Sequence, residues 1–415
     1  MNPDDVKAAR ELRTTHVFEC NFGDGEKQSK GASKYLVKAG VSTGIIPFSS
    51  AISEIPGMTE GPDPGAGAMT LRKSRLEVEP KWHPRYKLNK VVTSHQGWVN
   101  CIAVDPTNEM FFTGSNDATI KAWDLGTYRP LMTLVGHSHA VKAMACDPRL
   151  AYLYSASDDK EVKCWDMTSN RVFRTYHGHQ AGIYSLKYHA DLDVLISGSR
   201  DCSVRVWDTR TAKEVIRFNG HQHSVTSIET AATSPQIVTG SMDATIRLWD
   251  IRTQKCQDVL THHSRTVNAL VKHPNERTFV SAGHDMRKYH LPSGQLMHMV
   301  KKECGQIRDL ALTPQYAEGD DGWIMAGVTN DGLLSLWDYE SSHEYCRMRL
   351  PAVKGSLESE TGLLCCEFDN TGSILLAAGY DKAVKVLRLR DEDTPESRPI
   401  KGFVAPEVYM SLDKE

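Results

Sequence analysis

The chain has 415 residues, 40% of them hydrophobic and 24% charged, enough for two or three average domains or one large repeat domain. Lys and Arg total 49 against 52 Asp and Glu, and a net charge of −3 excludes a global field holding the molecule on nucleic acid or an anionic membrane. No apolar run approaches the roughly 20 residues that span a bilayer, and the opening MNPDDVKAAR lacks a signal peptide's apolar core, so a soluble, non-secreted chain is expected. The ten cysteines, from Cys20 to Cys366, contain no C-x-x-C pair. They read as small buried apolar residues of a reducing compartment, and neither a zinc site nor a disulfide framework is expected.

In chain order, residues 1–81 lack Trp and form an N-terminal arm. A short helix is predicted over Val6 to Thr14, with Asn2 or Asp4 near its cap and Pro3 in its first turn. Gly57 to Gly67 is a flexible linker by composition, and arms of this kind often order only on a partner. Between Leu71 and Lys90, seven basic residues (Arg72, Lys73, Arg75, Lys81, Arg85, Lys87 and Lys90) stand against Glu77 and Glu79. That local charge suits RNA phosphates or an acidic protein surface, and equally a solvated lead-in to a strand. No aromatic RNA-binding motif, P-loop or zinc spacing accompanies it, so no cofactor is expected.

From residue 95 the sequence repeats. Trp123, Trp165, Trp207 and Trp249 are each followed by Asp and spaced by 42 residues, and His95, His137, His179, His221 and His263 keep the same step. A hydroxyl residue lies 18 after each His (Thr113, Ser155, Ser197, Thr239, Ser281), and an Asp four later (Asp117, Asp159, Asp201, Asp243, Asp285). These units resemble WD40 repeats, which supply four strands to each blade of a propeller. The code then weakens. Tyr289 replaces the indole of the fifth unit; the sixth has Gly327 in the hydroxyl position but keeps Asp331, Trp337 and Asp338; the seventh has Ala377, Asp381 and Leu387. The expected fold is all-β, a seven-bladed WD40 β-propeller over 82–390. Its last blade is one strand short, and the strand-like stretch from Tyr86 to Val92 is predicted to complete it. Residues 391–415 remain as a C-terminal tail.

A single His, Ser and Asp could be a hydrolase triad. Five copies indicate a framework instead: the Asp accepts backbone and His N–H bonds, the His reaches the hydroxyl, and the hydroxyl meets the indole N–H. No catalytic group and no small-molecule substrate are expected. Contact positions should lie where repeats differ: Asn100, Lys142, Tyr184, Thr226 and Asn268, five after each His, and Asn116, Asp158, Arg200, Met242, His284, Asn330 and Tyr380, before each turn Asp. These are predicted to share one rim around the channel, with Trp98 either an exposed anchor or a packed strand-start residue. Trp207-Asp208-Thr209-Arg210 and Trp249-Asp250-Ile251-Arg252 match a short Trp-Asp-x-Arg pattern, and Arg210 and Arg252 support an alternative role as substrate receptor of a cullin-RING ubiquitin ligase.

More specific segments carry a narrower resemblance. They are Trp82-His83-Pro84 leading into Lys87-Leu88, His95 to Pro106, Glu161 to Asp166, Thr261-His262-His263, and Gly355 to Glu360 running on to Phe368-Asp369. From about Trp82 to Glu396 the chain resembles the pleiotropic regulator WD40 proteins, subunits of the spliceosomal NineTeen complex. In the arm only Arg13 to His16 and Phe18 are similar, and the chain departs from the family in its short arm and its ending Ser411 to Glu415. The resemblance implies a nuclear, non-catalytic scaffold in pre-mRNA splicing. It would bind spliceosomal proteins, among them a Myb-like cell-division-cycle protein, near the catalytic RNA and without membrane contact.

Overall fold

The computed structural model describes residues 74–75, 78–232, 236–300, 305–314, 322–390, 393, 400 and 407–408. All of these belong to one compact unit, Arg72–Glu415. The helix predicted over Val6 to Thr14 and the linker from Gly57 to Gly67 lie outside the described residues.

The unit is a ring of seven antiparallel sheets, a seven-bladed β-propeller. The first blade shows the pattern: Val99–Val104 lines the channel, Met110–Ser115 and Thr119–Asp124 follow, and Pro130–Val135 forms the outer edge. Strands inside the blade are buried on both faces and read as apolar runs; outer strands alternate or turn polar. Two recurrent tight turns set the strand lengths. The residue after each turn Asp has positive φ (Ala118, Lys160, Cys202, Ala244, Gly332 and Lys382), and so does the fourth residue after the Asp that closes the third strand (Tyr128, Asn170, Ala212 and Gln254). The fifth blade lacks the first of these, because its Asp285 is followed at once by the strand Met286–His290.

Adjacent blades share their cores, which is why no blade can fold alone. Phe111 and Trp123 of the first blade stack at 6.1 Å and bury against Leu376, Val384 and Val386 of the seventh. Each such large side chain contributes roughly 2–3 kcal/mol by leaving water. Tyr86–Thr93 pairs with Ala383–Leu389, Tyr86 opposite Leu389 and Thr93 opposite Ala383, so the outer strand of the last blade comes from the start of the ring. The Tyr86 hydroxyl donates to the Gly372 carbonyl at 2.5 Å. Just upstream, buried His83 meets Asp338 at 3.2 Å and Lys81 pairs with Glu340 at 3.3 Å, tying the lead-in to the sixth blade.

The arm and the tail also supply two short strands, although neither reads as regular structure in the sequence. Glu407–Val408 pairs with the fifth blade's outer strand Gln295–Val300, with Val408 opposite His298, and Ser74–Arg75 pairs with Glu407–Val408 in turn. The fifth sheet is therefore six-stranded. Gln295–Val300 carries no Lys, Arg, Asp or Glu, and an uncharged edge accepts further strands.

Candidate protein-interaction face

In the first four blades the repeated polar residues meet. His95 Nδ1 lies 2.9 Å from Asp117 and its Nε2 2.8 Å from Thr113 Oγ1, which accepts the Trp123 indole N–H at 2.9 Å. The same three contacts join His137, Ser155, Asp159 and Trp165 at 2.6–2.7 Å. They join His179, Ser197, Asp201 and Trp207 at 2.7–2.9 Å, and His221, Thr239, Asp243 and Trp249 at 2.8–2.9 Å. A neutral imidazole satisfies every member: Nδ1–H donates to the carboxylate, Nε2 accepts the hydroxyl proton, and the hydroxyl oxygen accepts the indole N–H. The carboxylates also take turn amides, Gln96 and Thr119 donating to Asp117 at 3.1 and 2.9 Å. Burial works to raise the Asp117 carboxyl, but hydrogen bonds from Thr119 and His95 outweigh it and hold it down to about 2; Asp243 is held at about 2 in the same way by Thr245 and His221. Burial lowers His95 and His221, against the pull of their Asp partners.

The later blades replace this network with packing. In the fifth, His263 reaches Ser281 at 2.6 Å while Tyr289 stacks on Phe279 at 5.1 Å. In the sixth, the Trp337 ring lies over Gly327, and its indole N–H is buried with no acceptor. In the seventh, Asp381 forms a fully buried ion pair with Lys385 at 2.8 Å.

The positions where repeats differ divide into two kinds. Asn100, Thr226 and Asn268 spend their side chains inside the ring. They donate to the backbone carbonyls of Val141, Val267 and Ile307, the first residues of the next blades' inner strands, at 2.7, 2.5 and 2.6 Å. Lys142 reaches Asn116 at 3.2 Å and Asp158 at 3.8 Å. Asn100, Lys142, Tyr184, Thr226 and Asn268 line one mouth of the channel, together with Arg308. The others are open: Arg200 and His284 are exposed, and Met242 is 42% exposed. Trp98 is also 42% exposed and meets the half-buried Tyr380 edge-on at 5.0 Å, so it is both a contact of the seventh blade and an available aromatic surface.

Sequence reasoning missed the charges within the channel, a cavity of about 380 Å³. Lys187 pairs with Glu229 at 2.9 Å, and Asp309 and Glu367 share the lumen. Burial pushes Asp309 up to about 6 against two backbone amide bonds, and burial, aided by Asp309, pushes Glu367 up to about 7 against Lys187. A signal existed: the eighth residue after the repeating His is Ala103, Ala145 and Val271 in three units, but Lys187 and Glu229 in two. Among the described residues, no group of three or more His, Cys, Asp and Glu is placed to hold a metal ion.

Two other stretches singled out in the sequence also make contacts within the ring. Within the basic stretch, Lys81 is engaged by Glu340, while Lys90 donates to the Thr127 carbonyl at 3.2 Å and covers the Tyr128 ring. Arg72 and Lys73 lie outside the described residues. In the Trp-Asp-x-Arg pattern, each Asp caps a turn: the backbone N–H of Arg210 donates to Asp208, and that of Arg252 to Asp250, both at 2.9 Å. The same bond forms in the first two blades, where Gly126 and Thr168 stand at this position, so the turn accounts for the Asp of the pattern and not for the exposed Arg side chains.

Comparison with known proteins bears on what the ring is for. The family described as WD domain, G-beta repeat matches residues 86–124, 128–166, 170–208, 212–250 and 254–287. Each match begins at or just before one blade's outer strand and runs into the third strand of the next, so the sequence unit is offset from the blade. The chain is 55% identical over 324 residues to the pre-mRNA-splicing factor PRP46 of Kluyveromyces lactis, spanning 77% of this chain and 73% of that protein. It is 54% identical over 359 residues to pleiotropic regulator 1 of Homo sapiens, 83% of this chain and 68% of that one. It is 49% identical over 361 residues to the pleiotropic regulator PRL2 of Arabidopsis thaliana, 86% of this chain and 74% of that one. These relatives lend the ligase-receptor alternative no support. The chain belongs to the pleiotropic regulator and PRP46 family of WD40 pre-mRNA-splicing factors.

Proposed function

We propose that the chain is a non-catalytic scaffold of pre-mRNA splicing in the nucleus, a subunit of the NineTeen complex that docks protein partners on a rigid propeller. The observation that supports this most is the fate of the repeated His, hydroxyl and Asp residues. In four blades each is consumed in the framework, which leaves no base and nucleophile free to act together. What remains for function is surface. The rim holding Trp98, Arg200, Met242, His284 and Tyr380 combines aromatic, Arg and Met side chains, types enriched where proteins meet. A Myb-like cell-division-cycle protein is the partner that the family resemblance suggests for it, and Asn100, Lys142 and Tyr184 at the channel mouth would receive its side chains. Direct RNA contact would fall to the basic stretch from Arg72 to Lys90, of which Lys81 and Lys90 already have partners in the ring.

The test is purification of the tagged full-length chain from its own cells under mild conditions, with and without RNase. Recovery of splicing proteins and small nuclear RNAs, with the protein set resistant to RNase, is the expected result. A purified chain carrying no splicing component overturns the reading. Within that material, Arg200→Ala combined with Met242→Ala should reduce partner recovery at least tenfold while the melting temperature stays unchanged.

A further inference from the structure

The charged groups of the rim differ in whether a neighbour already uses them. On blades three to five the turn carboxylates are spent inside the fold. Asp201 and Asp243 have 6% of their side chains accessible and bind His179 and His221, while Asp285 pairs with His284 at 3.3 Å and Arg287 at 3.5 Å. The cations beside them are open. Arg200, before the third blade's turn Asp, and Arg265, two residues after His263 in the fifth, are exposed, and among the described residues neither side chain has a partner. Met242, 42% exposed, stands between them on the fourth blade. Loop and turn lie together in each blade: the Met242 amide donates to the Ser224 carbonyl at 3.0 Å, and a Cβ on Gly283 would stand 2.1 Å from the Thr266 carbonyl oxygen. Nearer the axis, Arg308 of the sixth blade lines the channel mouth and donates its Nε–H at 2.8 Å to Asn330, a partner without charge. Open carboxylates bound this arc at both ends, Asp158 with 35% of its side chain accessible on the second blade and Asp331 exposed on the sixth.

We infer that the arc of Arg200, Met242, Arg265 and Arg308 is the docking site for an acidic segment of a partner protein, which sets carboxylates on the guanidinium groups and an aliphatic side chain on Met242. Guanidinium groups take carboxylates through paired N–H···O bonds, and a flexible thioether accepts aliphatic groups of varied shape. The acidity of the occupant follows from complementarity. The whole chain carries a net charge of −3, yet within the arc three cations meet no unpaired carboxylate, and they would oppose a basic segment. A protein segment suits the centre of the arc better than RNA does, because bases stack on aromatic faces and the rim's exposed indole, Trp98, lies on the first blade. The channel sets the depth. Glu229 stands three residues beyond Thr226 along the inner strand, roughly 10 Å below the mouth, and with Glu367 it repels a carboxylate that goes deeper. The segment therefore lies across the mouth and does not thread the ring.

The inference rests on the scaffold reading in taking a splicing protein as the source of the segment, and one preparation separates the two. Full-length chain carrying Arg200→Lys with Arg265→Lys is recovered through its tag in the native assembly and treated with a carbodiimide, which joins an amine to a carboxylate in direct contact with it. Links from positions 200 and 265 to Asp or Glu residues of a splicing protein are the expected result. Links to a protein outside splicing uphold the acidic segment and overturn the scaffold reading. Links confined to carboxylates of this chain, or no link at either position, overturn the inference, as do ultraviolet crosslinks from the arc to RNA in the untreated assembly. Charge reversal supplies a second readout. Arg200→Glu with Arg265→Glu should reduce recovery of the linked protein at least tenfold at an unchanged melting temperature, whereas Arg210→Glu with Arg252→Glu, exposed at the other ends of the strands, should leave it unchanged. Equal recovery with both pairs of substitutions overturns the assignment of the segment to this arc.

Discussion

Blades one to four and blades five to seven solve the same structural problem by different means. In the first group each turn is bound to its neighbouring strands by a four-membered hydrogen-bond relay, repeated with distances that agree within 0.3 Å across blades. In the second, a stacked Tyr289, a glycine beneath Trp337 and a buried Lys385–Asp381 pair take its place. The relay is therefore one sufficient way to fasten a blade and not a necessity of the ring. What all seven share is apolar packing between neighbours and a chain that closes on itself.

Closure is where the comparison breaks most completely. Deleting residues 82–94 removes Tyr86 and Val92 from two shared cores, the His83–Asp338 contact and the pairing along Ala383–Leu389. The expected loss is on the order of 5 kcal/mol, comparable to the whole stability of an ordinary domain. Urea unfolding should show a chain with no cooperative native transition at 37 °C, and a midpoint within 0.5 M of the parent, as an order-of-magnitude bound, would refute the assignment.

Acid should next separate the two groups. The Asp117 and Asp243 carboxyls lie at about 2 in the fold against an ordinary value of 3.8. A depressed carboxyl contributes stability that is complete above about pH 5 and lost as pH falls toward 2, about 1 kcal/mol for each of these two after solvent screening is discounted. His95 and His221, lowered by burial, add a milder loss that starts as pH falls below 6.5, since the unfolded imidazoles take up protons first. Hydrogen exchange resolved by blade should therefore show the first and fourth blades losing protection before the seventh, where burial raises Glu367 instead, as pH falls from 6.5 to 3.

A single substitution makes the contrast local. Asp201→Ala leaves the His179 N–H and the Gln180 and Ser203 amides without their acceptor and should cost about 2–4 kcal/mol. Asp331→Ala, at the matching but exposed position of the sixth blade, should cost less than about 0.5 kcal/mol. Equal costs in a denaturant titration would mean the relay adds nothing beyond a generic turn. Restoring the consensus hydroxyl does not restore the relay. A Cβ at Gly327 would stand 2.8 Å from Trp337 Cζ3, so Gly327→Ser should destabilise by about 1–3 kcal/mol even though a buried indole N–H there lacks an acceptor.

The period of 42 residues made the ring, its blade number and its closing strand legible, because each blade repeats one geometry. The channel charges were less legible, since Lys187 and Glu229 break a pattern of Ala and Val only once the eighth position is compared across units. Divergence proved an ambiguous guide to contact. Asn100 and Asn268 differ from Lys142 and Tyr184, yet both asparagines bridge to the next blade, while Met242 stays open to solvent. A side chain reaching the backbone of a neighbouring blade leaves no mark at any fixed sequence spacing. The two-residue strands at Ser74 and Glu407 are too short to carry any period at all.

The smallest effect concerns the turns themselves. Ala244 follows the turn Asp of the fourth blade with φ of 63°, a conformation that costs an L-residue roughly 1 kcal/mol and a glycine nothing. Ala244→Gly relieves that cost, but it also gives the unfolded chain more freedom, worth about 0.4–1 kcal/mol in the opposite direction. The net change should therefore lie between zero and about 0.5 kcal/mol stabilising, and thermal melts of the two proteins should nearly superimpose. The sixth blade has Gly332 at the equivalent position, φ 75°, where the reverse substitution meets a second obstacle: a Cβ would stand 2.6 Å from the Thr361 carbonyl oxygen. Gly332→Ala should accordingly destabilise by about 1–3 kcal/mol, because strain and a backbone clash add. If the two substitutions gave mirror-image changes of equal size, the turns of the two groups would be interchangeable; the contact with Thr361 predicts that they are not.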